Sequence, residues 1–200
     1  MIEIPYFRTL HPLELIATLT GLIHVWLLTR EKVIAWPFGI ISVAIYVYIF
    51  FVSRLYSDAI LHVFYIGLNS YGWYHWLQPD HTRRNLPVTR LSRGSLSSVL
   101  GAIILFSLVW GYIMDTRTDA DFAYFDAFTT VASLIAQFLL TRKKIDNWLI
   151  WIAVDLVAIP IYVLKGLYLT SGLYTVYLIL CINGWLSWRR SLKAGFSSGH

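Results

Sequence analysis

The apolar stretch at residues 145–164 carries aromatic and polar side chains whose spacing could bind a flat cation. Trp148, Trp151 and Asp155 are spaced i, i+3 and i+7, which places them on one face of a helix. Two indole rings one turn apart can stack on an aromatic ligand or make cation–π contacts with it. A carboxylate farther along that face can neutralise positive charge or accept hydrogen bonds. We therefore predict a cation-binding site at Trp148, Trp151 and Asp155, with the adjacent Asn147 included.

Amide side chains in two other apolar stretches could reach the same ligand. Gln137 and Asn69 could orient a bound molecule through hydrogen bonds. An amide inside a membrane helix also commonly joins two helices, so both roles stay open. Further aromatic surface could come from tyrosines in these stretches, namely Tyr46, Tyr65, Tyr71 and Tyr177.

Tryptophans near the ends of apolar stretches have a second interpretation. An indole ring favours the membrane–water interface, where its apolar body meets lipid and its N–H meets water. Trp148, near the start of its stretch, fits this interpretation as well as ligand stacking. The same reasoning predicts interface positions for four further tryptophans: Trp73, Trp76, Trp185 and Trp188.

The composition places these residues in a membrane protein. Hydrophobic residues make up 58% of the 200 residues and charged residues 14%, too few polar groups to cover a water-soluble surface. The net charge of +5 lies mainly in short loops, which favours membrane topology over nucleic-acid binding. The single cysteine, Cys181, excludes an internal disulfide. We find no phosphate-binding loop, metal-ligand cluster or nucleophile–base pair, so we predict no catalytic residue, metal or cofactor.

Seven apolar stretches are about 17–22 residues long, enough to cross roughly 30 Å of hydrocarbon as helices. Backbone groups in lipid must be satisfied within the chain, and none of these stretches alternates like a barrel strand. We therefore predict an all-α membrane protein with seven transmembrane helices. The predicted spans are 13–29, 33–53, 56–77, 95–115, 124–141, 145–164 and 167–188.

The distribution of Lys and Arg predicts the orientation of the helices. Twelve of the 16 basic residues fall on one side of the predicted spans and four on the other. Basic loops favour the cytoplasm, so the N-terminus is predicted outside and the C-terminus inside. The first stretch lacks a basic leader and a clear cleavage site, which favours a retained span over a signal peptide.

An internal repeat predicts the arrangement of the helices. Residues 27–76 and 139–188 align at a constant offset of 112 without a gap, with 16 identities in 50 positions. The alignment predicts two three-helix repeats, 13–77 and 124–188, joined by a linking helix at 95–115. One linking helix gives both repeats the same orientation, a parallel 3+1+3 arrangement within a single transmembrane domain. Such duplication is typical of transporters, although it could also be a folding solution without transport.

The two repeats differ where the predicted chemistry lies. Gly39 aligns with Trp151 and Val43 with Asp155, so the predicted site belongs to the second repeat. The shared residues lie mostly near the ends of the spans, where they would shape the frame of the bundle.

Four motifs resemble the PnuC family of bacterial vitamin transporters over roughly residues 20–190. They are Trp36-Pro37-Phe38-Gly39, Leu55-Tyr56-x-Asp58, Tyr71-Gly72-Trp73-x-x-Trp76 and Asn147-Trp148-x-x-Trp151. The resemblance implies a 3+1+3 fold similar to the SWEET sugar transporters, in the inner membrane with a periplasmic N-terminus. It implies facilitated diffusion of an unphosphorylated vitamin, which a cytoplasmic kinase then phosphorylates and traps. It leaves the oligomeric state open, with a homotrimer as one candidate.

The residue at position 155 bears on the substrate. Nicotinamide riboside carriers of this family tend to have Trp-x-x-Trp-x-x-x-Asn, whereas this chain has Asp155 at the last position. A carboxylate only accepts hydrogen bonds and adds negative charge, which favours thiamine over nicotinamide riboside. We predict that Trp148 and Trp151 stack on the substrate and that Asp155 recognises its charge. We predict that Gln137 and Asn69 orient it through hydrogen bonds. Nicotinamide riboside remains the alternative substrate; proton-coupled symport through Asp155 and a membrane enzyme or receptor remain alternative functions.

Overall fold

The computed structural model describes residues 6–78, 86–118 and 121–197. Within these ranges the chain forms α-helices and no β-strand, with one isolated bridge between Thr89 and Lys144. The prediction of an all-α fold is confirmed. The seven helices are α1 (Tyr6–Thr29), α2 (Ala35–Val52), α3 (Tyr56–Leu77), α4 (Arg93–Arg117), α5 (Ala123–Thr141), α6 (Asp146–Leu164) and α7 (Tyr168–Ser197).

The helices are long and apolar enough for a membrane protein. Among the described residues, six helices have the length and composition to cross a bilayer, and α3 is the exception because it is more polar. Its 22 residues nevertheless rise about 33 Å, as much as its neighbours. Large apolar side chains on the outer helix faces are exposed, such as Ile104, Phe106 and Tyr112 on α4. An apolar outer surface of this kind is suited to lipid rather than water.

The helices pack as two groups of three. Helix α2 packs on both α1 and α3, and these three are called the N-terminal group; α6 packs on both α5 and α7, and these three are called the C-terminal group. The groups meet through two helix pairs, α1 with α7 and α3 with α5. Helix α4 packs on α5. Each joint between the groups therefore pairs the first helix of one group with the third helix of the other.

The turns inside the two groups have matching backbone conformations. Glu31, between α1 and α2, and Lys143, between α5 and α6, have φ angles of 56° and 52°. In both turns the N–H of this residue donates to a carbonyl three residues earlier, at 3.0 Å. Arg54 and Gly166 have φ angles of 61° and 73° in the second turn of each group. Left-handed backbone is unfavourable for residues other than glycine, so three of these turns are held by their surroundings.

Four tryptophans form a buried cluster at one end of the bundle. We call this the basic end, since α1 and α5 finish there beside Arg30 and Arg142. The tryptophan cluster is a continuous set of ring contacts: centroids are 5.2 Å apart for Trp36 and Trp76, 5.9 Å for Trp76 and Trp188, and 5.4 Å for Trp188 and Trp148.

The burial of this cluster corrects the prediction that Trp76 and Trp188 lie at the membrane interface. Their exposed fractions are 5% and 0%, and each indole N–H donates to a backbone carbonyl of the other group. Trp76 donates to Thr141 at 3.1 Å and Trp188 to Leu28 at 2.9 Å. A buried indole N–H needs such a partner, so these tryptophans join the two groups instead of facing lipid headgroups.

Two glycines make room for the cluster. A Cβ atom on Gly184 would lie 2.7 Å from the ring of Trp148, and a Cβ atom on Gly72 would approach the ring of Trp36 still more closely. Both distances are far below a carbon–carbon contact. The Gly-Trp-x-x-Trp pattern shared by α3 and α7 is therefore a packing motif, in which glycine accepts a ring from the second helix of its group.

Candidate functional site

Helix α6 places Asp155 deep inside the bundle. Asp155 lies nine residues from the start of α6, about 14 Å along the helix, and its exposed fraction is 3%. Its Oδ2 atom has no hydrogen-bond partner among the described residues. Burying a carboxyl oxygen without a partner is costly. The unpaired oxygen therefore suits the positive charge or N–H group of a ligand.

The structure brings together the two predicted amides. The Nε2 atom of Gln137 on α5 donates to the Oδ1 atom of Asn69 on α3 at 2.8 Å, and both side chains are buried. This bond lies at the α3–α5 joint between the two groups. It establishes the helix-joining role for the pair, and the ligand-orienting role stays a prediction.

Trp151 lies at the depth of this amide pair. Gln137 is four residues from the basic end of α5, and Trp151 is five residues from the basic end of the antiparallel helix α6. The indole of Trp151 is half-buried and packs against a buried apolar cluster that contains residues of α4, α5 and α6, among them Ile103, Ala136 and Val154. A partly exposed ring beside polar groups can stack on an aromatic ligand.

The residues aligned with Trp151 and Ala136 show how the N-terminal group fills the same space. Gly39 aligns with Trp151, and a Cβ atom at Gly39 would lie 2.6 Å from the ring of His24. His24, aligned with Ala136, is buried and its Nδ1 atom is 2.7 Å from the carbonyl oxygen of Ala35. The N-terminal group thus has the large His24 on its first helix and Gly39 on its second. The C-terminal group has the small Ala136 on its first helix and the large Trp151 on its second.

The structure separates Trp148 and Asn147 from Asp155. Trp148 is 1% exposed within the tryptophan cluster, seven residues and roughly 10 Å along α6 from Asp155. Asn147 is fully buried, and its Nδ2 atom donates to the carbonyl oxygen of Lys144 at 2.6 Å. A ligand beside Asp155 does not reach either side chain while the cluster is closed. Their predicted binding roles stay predictions: both side chains are closely packed, and the Oδ1 atom of Asn147 and the Nε1 atom of Trp148 have no hydrogen-bond partner among the described residues.

Tyrosines of α7 form an aromatic cluster with Tyr162 of α6, and sequence reasoning singled out only Tyr177 among them. The rings of Tyr174 and Tyr177 have centroids 6.1 Å apart, and the ring of Tyr162 on α6 lies 4.9 Å from Tyr174. Tyr174, Tyr177 and Cys181 are spaced i, i+3 and i+7, as Trp148, Trp151 and Asp155 are. That spacing could have identified Tyr174.

A tyrosine at the α3–α5 joint makes a second polar contact between the two groups, near the amide pair. The hydroxyl of Tyr65 on α3 is hydrogen-bonded to the hydroxyl of Ser133 on α5. Tyr65 aligns with Tyr177 at the offset of 112, so each third helix places a tyrosine at the same position.

Two open grooves lie elsewhere, on either side of α4. Their volumes are about 500 and 330 Å³, and their walls are almost entirely apolar side chains of α3, α4, α5 and α6. None of the predicted site residues lines them. They are features of the lipid-facing surface and give no reason to move the predicted site to other residues.

A helical membrane bundle with a buried carboxyl group, an amide pair and aromatic rings at mid-depth defines a membrane carrier of small molecules. The family model described as nicotinamide mononucleotide transporter matches residues 11–190. The chain belongs to this family, the PnuC family of vitamin transporters, and the predicted resemblance is confirmed.

Individual relatives agree with this assignment. "Nicotinamide riboside transporter PnuC" of Escherichia coli is 27% identical, covering 90% of this chain and 86% of the relative. "Riboflavin/roseoflavin transporter RibM" of Streptomyces davaonensis is 23% identical, covering 88% and 83%. The structure titled "Crystal structure of the Vitamin B3 transporter PnuC" has a TM-score of 0.73 at 22% identity, covering 91% of this chain and 82% of that one. The fold is shared, and the protein is a multi-pass membrane transporter of a small vitamin rather than an enzyme.

Proposed function

We propose that this protein carries nicotinamide riboside across the inner membrane by facilitated diffusion. The family match over residues 11–190 is the observation that carries the proposal, together with relatives named as nicotinamide riboside transporters at 27% and 22% identity. The residue at position 155 favoured thiamine in the sequence analysis, whereas these relatives favour nicotinamide riboside. We therefore propose nicotinamide riboside as the first candidate substrate and thiamine as the second.

The residues at mid-depth suit this substrate. The nicotinamide ring is flat and positively charged, so it can stack on Trp151 and approach the free oxygen of Asp155. Gln137 and Asn69 can exchange their mutual hydrogen bond for bonds to the carboxamide or the ribose hydroxyls. A phosphate on the ribose would meet the negative charge of Asp155, so the phosphorylated nucleotide is rejected. A cytoplasmic kinase that adds this phosphate would keep the substrate inside.

Movement of the two helix groups against each other would expose the site alternately on either side. In this proposal they correspond to parallel repeats at 13–77 and 124–188, with the N-terminus periplasmic and the C-terminus cytoplasmic. The matching left-handed turns at Glu31 and Lys143 support the repeat, as do the two equivalent joints between the groups. The pattern is that of parallel-repeat transporters, in which one half rocks against the other. A homotrimer is compatible with this scheme, since each chain has its own site.

Thiamine is the second candidate, on the strength of Asp155 alone. The unpaired Oδ2 atom of this carboxyl group can accept from the thiamine amino group and offset the thiazolium charge. Riboflavin, which RibM is named for, lacks a positive charge and would leave the Asp155 carboxyl group uncompensated.

Counterflow in liposomes tests the proposal. Purified protein in liposomes preloaded with unlabelled nicotinamide riboside should accumulate the labelled compound transiently, and thiamine-loaded liposomes should do so less. A protonophore should leave the exchange unchanged, since facilitated diffusion needs no proton gradient. Abolition by the protonophore would establish the symport alternative instead. Liposomes without protein provide the background, and absence of counterflow for every vitamin would refute the carrier function.

Replacing Asp155 with Asn separates the two substrates. The amide removes the negative charge and adds a donor for a carboxamide, so Asp155→Asn should weaken thiamine binding about tenfold, roughly 1.4 kcal/mol. Binding of nicotinamide riboside should change less than threefold. Tryptophan fluorescence of the purified protein measures both dissociation constants. An unchanged ratio of the two constants would remove charge recognition from the role of Asp155.

A further inference from the structure

We propose that the larger groove beside α4 is a binding site for an anionic phospholipid, with an acyl chain between α3, α4 and α5 and the phosphate on Arg142. None of the predicted substrate residues lines this groove, so the inference goes beyond the proposed function and does not depend on which vitamin is carried.

The groove exists because two helices flank a third without meeting. Helices α3 and α4 both pack on α5, and among the described residues they do not pack on each other. The space left between them has a volume of about 500 Å³. Its walls are apolar apart from Ser98, whose hydroxyl donates to the carbonyl oxygen of Gly94 at 3.1 Å. The groove therefore offers its occupant apolar contacts and no free hydrogen-bond donor.

The size of the groove favours a hydrocarbon chain over a helix. An α-helix with its side chains is about 10 Å across, so this volume holds roughly one helical turn. A helix of a second protein would need several turns to pack stably, whereas an acyl chain is narrow and flexible. The groove begins near the basic end, at Phe138, and continues to Leu134 one turn deeper on α5. That depth corresponds to the upper part of the acyl chains of one lipid leaflet.

A cation lies at the basic end of the groove. The guanidinium of Arg142, directly after α5, is 5.6 Å from the ring centroid of Phe138, which lines the groove. It is also 5.4 Å from the ring centroid of Tyr71 on α3. The two rings hold Arg142 beside the groove, and it has no ion-pair partner among the described residues. A guanidinium in this state can donate two parallel hydrogen bonds to phosphate oxygens.

Helix α4 adds positive potential at the same end. It begins at Arg93, five residues before Ser98 in the groove wall. The start of a helix has free N–H groups and the positive end of the helix dipole, which both favour a phosphate nearby. The site thus has an apolar part at the depth of acyl chains and a positive part at the depth of head groups. This distribution matches an anionic phospholipid.

The repeat supplies a natural comparison for Arg142. Arg30 is its equivalent 112 residues earlier, and Trp26 is the equivalent of Phe138. The guanidinium of Arg30 is 4.3 Å from the ring centroid of Trp26, so the stacked arginine is present at both ends. Helix α4 packs on α5 and not on α1, and neither groove borders α1. Arg30 therefore has the charge and the aromatic ring without the groove.

Native mass spectrometry of the purified protein in detergent tests the charge requirement. The first phosphatidylglycerol molecule should bind about fivefold more tightly than phosphatidylcholine with the same acyl chains, as expected for one basic side chain at a head group. Arg142→Gln should remove this preference, and Arg30→Gln, the matched control, should keep it. Equal binding of the two lipids by the unmodified protein would overturn the proposal. An equal loss in the two variants would do so as well.

Filling the groove tests the position of the acyl chain. Ala102→Phe places a ring in the groove and leaves Arg142 intact, so it should abolish the tight binding of phosphatidylglycerol. Leu105→Phe is the control, because Leu105 is 58% exposed on α4 and lines neither groove. Thermal unfolding without added lipid would establish that both variants fold. Tight binding that survives in the Ala102→Phe protein would refute an acyl chain in this groove.

Two further measurements distinguish the phospholipid from other occupants. Phosphatidylglycerol should raise the unfolding temperature of the unmodified protein, and the same concentration of inorganic phosphate should not, since it lacks an acyl chain. Equal stabilisation by inorganic phosphate would identify a site for a free anion instead. The mass of the Ala102→Phe protein in detergent should equal that of the unmodified protein. A loss of subunits in this variant would show that a second copy occupies the groove, and the proposal would fail.

Discussion

Two tryptophans three residues apart on α6 have different surroundings. Trp148 is enclosed by Trp188 and Gly184 and has an exposed fraction of 1%. Trp151 is half-buried and lies at about the same depth in the bundle as the Gln137–Asn69 pair. Residues at i and i+3 share a helix face, but they need not share an environment, since the bundle is closed at its basic end and polar at mid-depth. The contacts of Trp148 argue for packing, and ligand stacking by Trp151 stays a prediction.

Replacing Trp151 with Ala should weaken binding of the aromatic substrate about tenfold, since a partly desolvated cation–π contact contributes about 1–2 kcal/mol. Trp73→Ala is the control, because Trp73 is 38% exposed on the outer face of α3. Thermal unfolding of both variants in detergent would establish that they fold. Dissociation constants from isothermal titration, which does not depend on tryptophan emission, measure the effect. Equal affinity in the two variants would exclude stacking by Trp151.

The site could be predicted from sequence only where a residue type is out of place in lipid. Asp155, Gln137 and Asn69 stand out because charged and amide groups are rare inside membrane helices. The packing role of Trp148 and Trp188 could not be inferred, since a tryptophan at the end of an apolar stretch has the same local sequence whether it faces headgroups or a neighbouring helix. Gly72 and Gly184 occupy equivalent positions in the alignment, and each leaves room for a tryptophan ring. Only the tertiary contacts reveal which ring each glycine meets.

The helices themselves were predicted within two residues at most of their ends, because lipid requires long apolar stretches to be helical. The exceptions are the outer ends of α1 and α7, which begin at Tyr6 and finish at Ser197. Helix α7 continues past Trp188 through basic and small polar residues. An apolar stretch defines the segment that lies in lipid, and it does not define where a helix stops once the chain reaches water.

Helix α3 offers a matched pair of glycines for testing the close approach to the tryptophan cluster. Gly72→Ala should lower the free energy of unfolding by about 1–3 kcal/mol because its Cβ atom overlaps the ring of Trp36. Gly67→Ala, five residues earlier on the same helix, meets nothing within 4 Å and should gain up to about 1 kcal/mol from helix propensity. Thermal unfolding in one detergent measures both. A Gly72→Ala protein as stable as Gly67→Ala would contradict the packing described here.

At the scale of the whole molecule, the basic end joins the two groups through an ion pair as well as through the tryptophan cluster. The Nζ atom of Lys143 lies 2.9 Å from the Oε2 atom of Glu31 and donates to the carbonyl oxygen of Leu86 at 2.8 Å. These two charged residues are 112 positions apart, so the ion pair links equivalent turns of the two groups. The segment before α4 adds backbone bonds from Thr89 to Lys143 and Ile145. The offset of 112 residues was readable from the sequence, whereas the pairing of these turns depends on how the groups meet.

Because the Lys143 side chain is only 5% exposed, loss of its partner should be costly. Glu31→Gln removes the negative charge and should lower the free energy of unfolding by on the order of 2 kcal/mol, as expected for a hydrogen bond to a charged group. The control is Asp126→Asn, which removes the partner of Lys165 in an ion pair at the other end of the bundle. That pair lies within the C-terminal group and its side chains are 32% and 45% exposed, so the change should stay below about 1 kcal/mol.

Exchanging the charges distinguishes an ion pair between the groups from a local effect of Glu31. Glu31→Lys alone places two ammonium groups together and should be the least stable variant. Adding Lys143→Glu restores opposite charges and should recover part of the loss, since the new carboxylate faces the carbonyl oxygen of Leu86 and cannot accept from it. Thermal unfolding of the four proteins in one detergent gives the coupling between the two positions. Additive effects would show that Glu31 and Lys143 act separately, and the two groups would then be held at the basic end by the tryptophan cluster and its backbone hydrogen bonds alone.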